Sequence, residues 1–311
     1  MNAFTWLLRR EFWESRSVWL VPAICALVMV GGALSGISGL SHVDVSDASS
    51  DHLDLAGAAA QAGTAKLAVL TSIALTTLVQ PFLFVALLTQ AFYSLASLYT
   101  ERQDRSILFW KSLPPDDAKT VLSKLCMAAV AIPLVALVIG IGAELLIAGI
   151  ASVHLRALPQ LTSALWSFSV WAQSLGVILY VWFVVMLWSL PFVGFNLLVS
   201  AATPRSPVMV STLLIVGAWF VDARILGLHI LHTVTTTWMR LLVDAFGQHG
   251  EGATSLIINR GSLEVPQSLA DVARPLAFFG SPVLWTGLML TAGLVAAAIW
   301  VRRYRAAAAT G

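Results

Sequence analysis

Charged residues are scarce in this chain of 311 residues. Only 11% of the residues are Asp, Glu, Lys or Arg, whereas 58% are hydrophobic. A soluble domain usually carries about 25% charged residues, so the composition excludes an ordinary soluble globular protein. The net charge of +2 also lacks the strong basic excess that typifies a nucleic-acid-binding protein.

Cysteine and the common cofactor motifs are also scarce. The two cysteines, Cys25 and Cys126, both lie in apolar runs, so no disulfide framework is expected. The sequence contains no Gly-x4-Gly-Lys-Ser/Thr phosphate loop, which excludes nucleotide binding by that route. His229 and His232 could share one helix face as metal ligands, but no third ligand accompanies them, so we expect no metal site.

Long apolar runs are what the chain has in abundance. They reach twenty residues or more, enough for a helix to cross a hydrocarbon core of about 30 Å. We therefore predict an all-α integral membrane protein with six transmembrane helices. The first run, which begins at Val18, is longer than the apolar core of a signal peptide, so we interpret it as a span. The predicted spans are about 18–40, 67–98, 121–151, 165–200, 208–232 and 282–301.

Two features refine this plan. The fourth run is over-long, and we expect Pro191 and Gly194 to bend its helix or to end the membrane part. If both termini lie on one side, that side holds twelve of the chain's 18 Lys and Arg residues and the other side holds six. Because positive charge favours the cytoplasmic side, we predict that both termini are cytoplasmic.

Residues 2–16 have the pattern of an amphipathic helix. Phe4, Leu7, Leu8 and Phe12 share one face, and the basic residues lie opposite, which favours an N-terminal helix in the cytoplasmic membrane interface. Glu11 falls on the apolar side of this helix. It either meets a cationic partner within the protein or is a solvated residue at the edge of that face.

The external segment 233–281 is too long for a simple hairpin loop. Helical spacing relates its apolar residues Trp238, Leu241, Leu242, Ala245 and Phe246, and Gly247 closes the pattern. A weaker helical pattern surrounds Pro275, and an Arg-Gly within 256–265 could turn a short hairpin. We therefore predict a small, partly helical external cap before the sixth span.

Few ionisable side chains fall within the predicted spans, and such residues are functional candidates by default. They are Glu144, Asp222 and Arg224. Each lies towards the outer end of its helix. They either line an outward-facing cavity or anchor their helices at the membrane interface.

The most polar segment between two spans is 99–120. It carries a short apolar patch of Ile107, Leu108 and Trp110 on a charged background, which suits insertion into a groove of another protein. Glu101 and Arg105 are spaced for an i, i+4 ion pair. The alternative is a solvated loop whose Lys and Arg side chains bind anionic lipid.

The spacing of Glu101-Arg102, Pro114 and Lys124 resembles the cytoplasmic loop in permease subunits of ABC-2-type (type V) ABC exporters. That loop reads approximately Glu-Arg-Glu-x-Gly-Thr-Leu, then Pro, then Lys ten residues later. This chain has Arg105 where the family often has Gly, and Ser106-Ile107 in place of Thr-Leu. The amphipathic entry helix, the six spans and the external helices before the last span match the family over nearly the whole chain.

The resemblance implies an export subunit that is not itself an enzyme. An apolar pathway with Trp166, Trp171, Trp182 and Trp188 near the fourth span is compatible with a hydrophobic or amphipathic substrate, and equally with aromatic anchoring at the membrane interfaces. The resemblance also implies a second permease, either an identical copy or a similar chain, and two copies of a separate ABC ATPase that binds ATP and Mg. It places the protein in the bacterial cytoplasmic membrane with a coupling helix between spans two and three. The implied ATPase-docking residues are Glu101, Arg102, Arg105, Ile107, Leu108, Trp110 and Pro114, with Pro204 and Arg205 as a second cytoplasmic contact.

Two other classes of function fit the same residues. A membrane scaffold or sensor would bind an ATPase without moving a substrate. A secondary transporter would move its substrate down a gradient without ATP. Secondary carriers often contain inverted repeats, and the two halves of this chain share no evident similarity.

Overall fold

The computed structural model describes residues 3–40, 64–103, 117–157, 159–204, 206–246 and 273–308. Nearly all of these residues are helical, and none of them forms a strand. Their helices are α1 (Ala3–Glu14), α2 (Ser17–Leu40), α3 (Thr64–Gln103), α4 (Asp117–Cys126), α5 (Ile132–His154), α6 (Pro159–Leu165), α7 (Phe168–Ala202), α8 (Pro207–Phe220), α9 (Ile230–Ala245), α10 (Pro275–Gly280) and α11 (Pro282–Ala308).

Within the part of the chain that the structure describes, six helical stretches are long and apolar enough to cross a membrane, as the apolar runs predict. The third stretch joins α4 to α5 through a π-helical turn, Met127–Ala131. This turn ends two residues before Pro133, which has no backbone N–H to donate in a regular helix. The stretches are Ser17–Ser35, Leu67–Glu101, Asp117–His154, Phe168–Ala202, Pro207–Leu226 and Pro282–Tyr304.

One predicted boundary differs from the structure. The fourth run forms a single helix, since α7 continues through Pro191 to Ala202. The fifth span ends at Leu226, six residues before the predicted limit. Gly227 and His229 take left-handed φ angles of 62° and 51°, which stop a right-handed helix. A new helix, α9, then begins at Ile230.

A series of polar contacts joins α3 to α7. Thr76 contacts Ser174 at 3.2 Å, the amide of Gln90 donates to Ser189 at 3.2 Å, and the amide of Asn196 donates to Ser94 at 3.2 Å. The partner numbers rise together along both helices, so α3 and α7 run parallel. Their carboxyl-terminal ends therefore lie at the same end of the helical bundle.

The last helix, α11, also runs parallel to α7. A Cβ on Gly194 would lie 3.4 Å from Thr291 and Leu294, and further along Leu197 shares an apolar cluster with Val295. That cluster also contains Val18 at the start of α2. The ends of α3, α7 and α11 thus meet the starts of α2 and α4, and both terminal segments lie at this end of the bundle.

Helix α9 packs onto the bundle in the half that is distant from the termini. Leu241 and Ala245 are buried in a cluster with residues of α7, α10 and α11. The indole N–H of Trp188 donates to the carbonyl of Trp238 at 3.1 Å, and the Tyr180 hydroxyl donates to the carbonyl of Ala245 at 2.9 Å. The apolar spacing from Trp238 onwards predicts this helix, and its buried face is the one that the spacing indicates. The side of the membrane on which it lies stays a prediction.

Gly287 of α11 offers a direct test of this packing. A Cβ at this position would overlap the ring of Trp238, whereas a Cβ on Gly293 of the same helix would meet nothing within 4 Å. We expect Gly287→Ala to reduce the free energy of unfolding by about 1–3 kcal/mol through overpacking. Gly293→Ala should be neutral, or should stabilise the helix by up to about 1 kcal/mol. Thermal unfolding of the two purified variants compares them, and equal midpoints would contradict the placement of α9.

Candidate functional site: a buried charge cluster

The amphipathic helix α1 places a carboxylate against the bundle. Its apolar face packs onto protein: Leu7 is buried, and Leu8 and Phe12 contact the apolar cluster around Val18. Glu11 lies on this face and is only 6% exposed. The face that the sequence indicates as membrane-seeking therefore carries an acidic group into the protein interior.

Lys124 of α4 provides the positive charge that Glu11 needs. Its ammonium lies 2.9 Å from Oε1 of Glu11 and 2.9 Å from Oε1 of Glu101, and its side chain is 3% exposed. The second oxygen of Glu11, Oε2, accepts a hydrogen bond of 2.8 Å from the Tyr93 hydroxyl. One lysine thus joins a carboxylate from α1 to a carboxylate from the last turns of α3.

Arg302 of α11 extends this group. It donates to Oε2 of Glu101 at 2.9 Å and to Oδ1 of Asp117 at 3.0 Å. We call Glu11, Tyr93, Glu101, Asp117, Lys124 and Arg302 the charge cluster. Its three carboxylates and two cations give it a formal charge of −1, and its members come from α1, α3, α4 and α11.

The chemistry of the charge cluster is that of a junction between helices. Both oxygens of Glu11 and of Glu101 are engaged by donors from other helices. A buried ion pair gains little net stability when formed, but removal of one partner leaves an uncompensated buried charge and costs about 3–5 kcal/mol. The four helices are therefore held in one arrangement, and displacement of one of them would strain its contacts to the others.

The predicted docking residues have different positions relative to this cluster. Glu101 belongs to it, with a side chain that is 15% exposed. Arg102 lies in the last turn of α3, and Pro204 is exposed between α7 and α8. The other predicted contact residues lie outside the described residues. They are Arg105, which is the i, i+4 partner proposed for Glu101, and Ile107, Leu108, Trp110, Pro114 and Arg205.

The three ionisable residues predicted near the outer ends of spans have separate environments. Both carboxylate oxygens of Asp222 accept backbone N–H groups at the start of α9, from Ile230 at 3.1 Å and Leu231 at 2.8 Å. Arg224 is exposed, whereas Glu144 is 2% exposed within α5. The role of Asp222 in capping α9 accounts for its burial.

The histidines do not assemble a metal site in the described part of the chain. His229 and His232 are both exposed. Within that part, no group of three His, Cys, Asp or Glu side chains is placed to hold a metal ion.

Sequence reasoning identified only part of the charge cluster. Glu11 on an apolar helix face was a signal, since a carboxylate there requires either a cation or solvent. Lys124 belongs to the loop motif in the sequence, and nothing in its local pattern indicates Glu11 as its partner. Tyr93, Asp117 and Arg302 gave no signal of shared location, because their pairing depends on how distant helices pack.

In comparisons with known proteins, no family model and no curated protein matches this chain. The resemblance to exporter permeases therefore depends on the loop residues and on the arrangement of spans. Two of those loop residues, Glu101 and Lys124, are 2.9 Å apart in the structure.

Lys124→Met should destabilise the protein strongly. Among the described residues, the substitution leaves buried Glu11 with only the Tyr93 hydroxyl as a partner, and we expect a loss of about 3–5 kcal/mol in the free energy of unfolding. Lys119→Met on the same helix is the matched control, because Lys119 is exposed and should change stability by less than about 0.5 kcal/mol. Unfolding of both variants in detergent micelles measures the difference. If the two variants were equally stable, the buried ion pairs would not hold the helices together.

Proposed function

We propose that this chain is the transmembrane permease subunit of an ATP-binding cassette exporter. A separate ATPase drives it by docking on the segment between the second and third spans. The exported substrate is hydrophobic or amphipathic, and the export pathway forms between two permease copies. ATP and Mg bind to the partner ATPase, and this chain supplies no catalytic residue.

One observation carries this proposal. Glu101 and Lys124 flank segment 104–116, and their side chains form an ion pair 2.9 Å in length in which Lys124 is buried and Glu101 is largely shielded from solvent. The same two residues supply the ends of the family-like loop motif. The two ends of the loop are thus joined to each other. Arg302 also joins them to the last span, and Glu11 joins them to the entry helix. Such a loop is suited to passing a force into the membrane domain.

The charge cluster links segment 104–116 mechanically to the surrounding helices. A push on segment 104–116 acts on the end of α3 and the start of α4. Because Lys124 also holds Glu11, and Glu101 also holds Arg302, α1 and α11 move with them. The parallel contacts between α3 and α7 then carry the displacement along the length of the bundle.

The docking surface itself is assigned by chemistry. Ile107, Leu108 and Trp110 enter an apolar groove on the ATPase, while Glu101 fixes the angle of the supporting helix. Protein interfaces concentrate binding energy in a few buried anchors, and truncation of an aromatic anchor often costs about 2 kcal/mol or more. Exposed charges contribute under about 1 kcal/mol. Both termini and the docking surface lie in the cytoplasm of a bacterial cell, with the α9 segment outside.

The test is purification of the tagged full chain from its own membranes with any stably bound subunit. We expect a partner that contains a Gly-x4-Gly-Lys-Ser/Thr phosphate loop and hydrolyses ATP. Trp110→Ala should reduce recovery of this partner by tenfold or more, on the order of the energy of one lost anchor. Lys111→Ala, at the adjacent position, is the control and should leave recovery unchanged.

Three results would contradict parts of the proposal. Recovery of the ATPase with Trp110→Ala at the wild-type level would assign segment 104–116 to another role, such as lipid binding. A bound ATPase whose turnover never responds to any transported compound would indicate a scaffold or sensor. Gradient-driven flux by the chain alone in vesicles, without ATP, would indicate a secondary transporter.

A further inference from the structure

Glu144 has an unusual environment for a carboxylate. It lies in α5, within the third span, and is 2% exposed. Its Oε1 atom has no hydrogen-bond partner among the described residues. Buried polar groups are nearly always paired, and an ionisable group within a span is expensive unless it has a role.

The neighbours of Glu144 on its helix show where the side chain points. Residues four apart share one face of a helix, and Glu144 lies between Gly140 and Ala148 on the buried face of α5. A Cβ on Gly140 would lie 3.0 Å from the ring of Phe82, and Ala148 shares an apolar cluster with Leu75. The carboxylate is therefore directed towards α3, between the levels of Leu75 and Phe82.

The hydroxyl groups on this stretch of α3 are already engaged. Ser72 donates to the carbonyl of Val69 at 2.8 Å, and Thr76 donates to the carbonyl of Ser72 at 2.8 Å. These two hydroxyl groups therefore donate their hydrogen bonds to carbonyl groups of α3 itself. In the part of the chain that the structure describes, they do not neutralise Glu144.

A second buried polar atom without a partner belongs to the same region. The indole Nε1 of Trp182 has no acceptor among the described residues, and Trp182 is 2% exposed. Trp182 packs in one cluster with Phe82 and with Ala143, the residue directly before Glu144. The Nε1 atom of Trp238 also has no partner in the described ranges, but Trp238 packs in a different cluster beside α11. An acceptor and a donor thus occur together in one apolar environment.

We propose that Glu144 and Trp182 form a binding site for an apolar molecule that carries a protonated amine. The ammonium donates to Oε1 and compensates its negative charge, as a buried carboxylate requires. The aliphatic body packs against the apolar side chains of Leu75 and Phe82 on α3. The Trp182 ring adds an aromatic face that attracts a cation, and its N–H serves an acceptor on the ligand.

This site specifies apolar amines as the substrate class of the proposed exporter. Its role in transport therefore rests on the proposed function. Its selectivity follows from charge. An alkyl alcohol of the same length fills the apolar contacts but leaves the carboxylate without a counter-charge. An alkyl carboxylate adds a second negative charge and is excluded.

Photolabelling of the purified full chain, without any ATPase, tests the site. The two probes are an alkylamine and an alkyl alcohol of equal length, each with a diazirine on the chain. We expect the amine to label α3, α5 and α7 near Phe82, Glu144 and Trp182, and we expect octylamine, but not octanol, to compete. Glu144→Gln should lower labelling by the amine at least tenfold and leave labelling by the alcohol unchanged. Asp244→Asn, which alters an exposed carboxylate of α9, is the matched control and should change neither.

The outcomes separate this site from the proposed function. Equal competition by octylamine and octanol in the wild-type chain, or undiminished amine labelling in folded Glu144→Gln, would overturn the site. The competition result needs no variant, so it remains decisive if Glu144→Gln fails to fold. Because the chain is labelled alone, loss of the site would leave ATPase docking untouched, and absence of an ATPase partner would leave the labelling result intact.

Discussion

The ammonium group of Lys124, held between Glu11 and Glu101, is the interaction on which the arrangement of this end of the molecule depends. A lysine that is 3% exposed is stable only with compensating charge, and its two carboxylates come from different helices. This requirement fixes α1 against the bundle and joins the end of α3 to the start of α4. Arg302 then brings the last span into the same group through Glu101 and Asp117.

The two halves of the bundle consequently differ in what holds them together. Near the termini, ion pairs and hydrogen bonds fix the helices in specific positions. In the distant half, apolar and aromatic packing dominates, with α9 resting on α7 and α11. Apolar packing tolerates small shifts better than a buried ion pair, which becomes costly when it opens. Ion pairs therefore hold the end of the bundle near the termini, whereas Glu144 and Trp182 lie where apolar packing surrounds them.

The features that sequence could predict are those set by residues close together in the chain. Apolar runs locate the six spans, and helical spacing identifies the faces of α1 and α9. The predicted fifth span passes through the break at Gly227 and His229 because a lone glycine can either end a helix or be tolerated within it, so Gly227 alone does not decide the boundary. The charge cluster was missed for a different reason: Lys124 is 113 residues from Glu11, and Arg302 is 201 residues from Glu101. Such pairings are decided by tertiary packing. Only the position of Glu11 on an apolar helix face indicates one of them in the sequence.

The most direct test is the coupling free energy between Glu11 and Glu101. These two carboxylates have the same charge, and they are linked because both pair with Lys124. Each single substitution to Gln leaves the lysine one carboxylate, whereas the double substitution leaves it buried without any. We expect the double variant to lose more free energy of unfolding than the sum of the losses in the two single variants, by about 0.5–3 kcal/mol. Additive losses, equal within about 0.5 kcal/mol, would show that Lys124 does not hold α1 and α3 as one unit and would contradict the account.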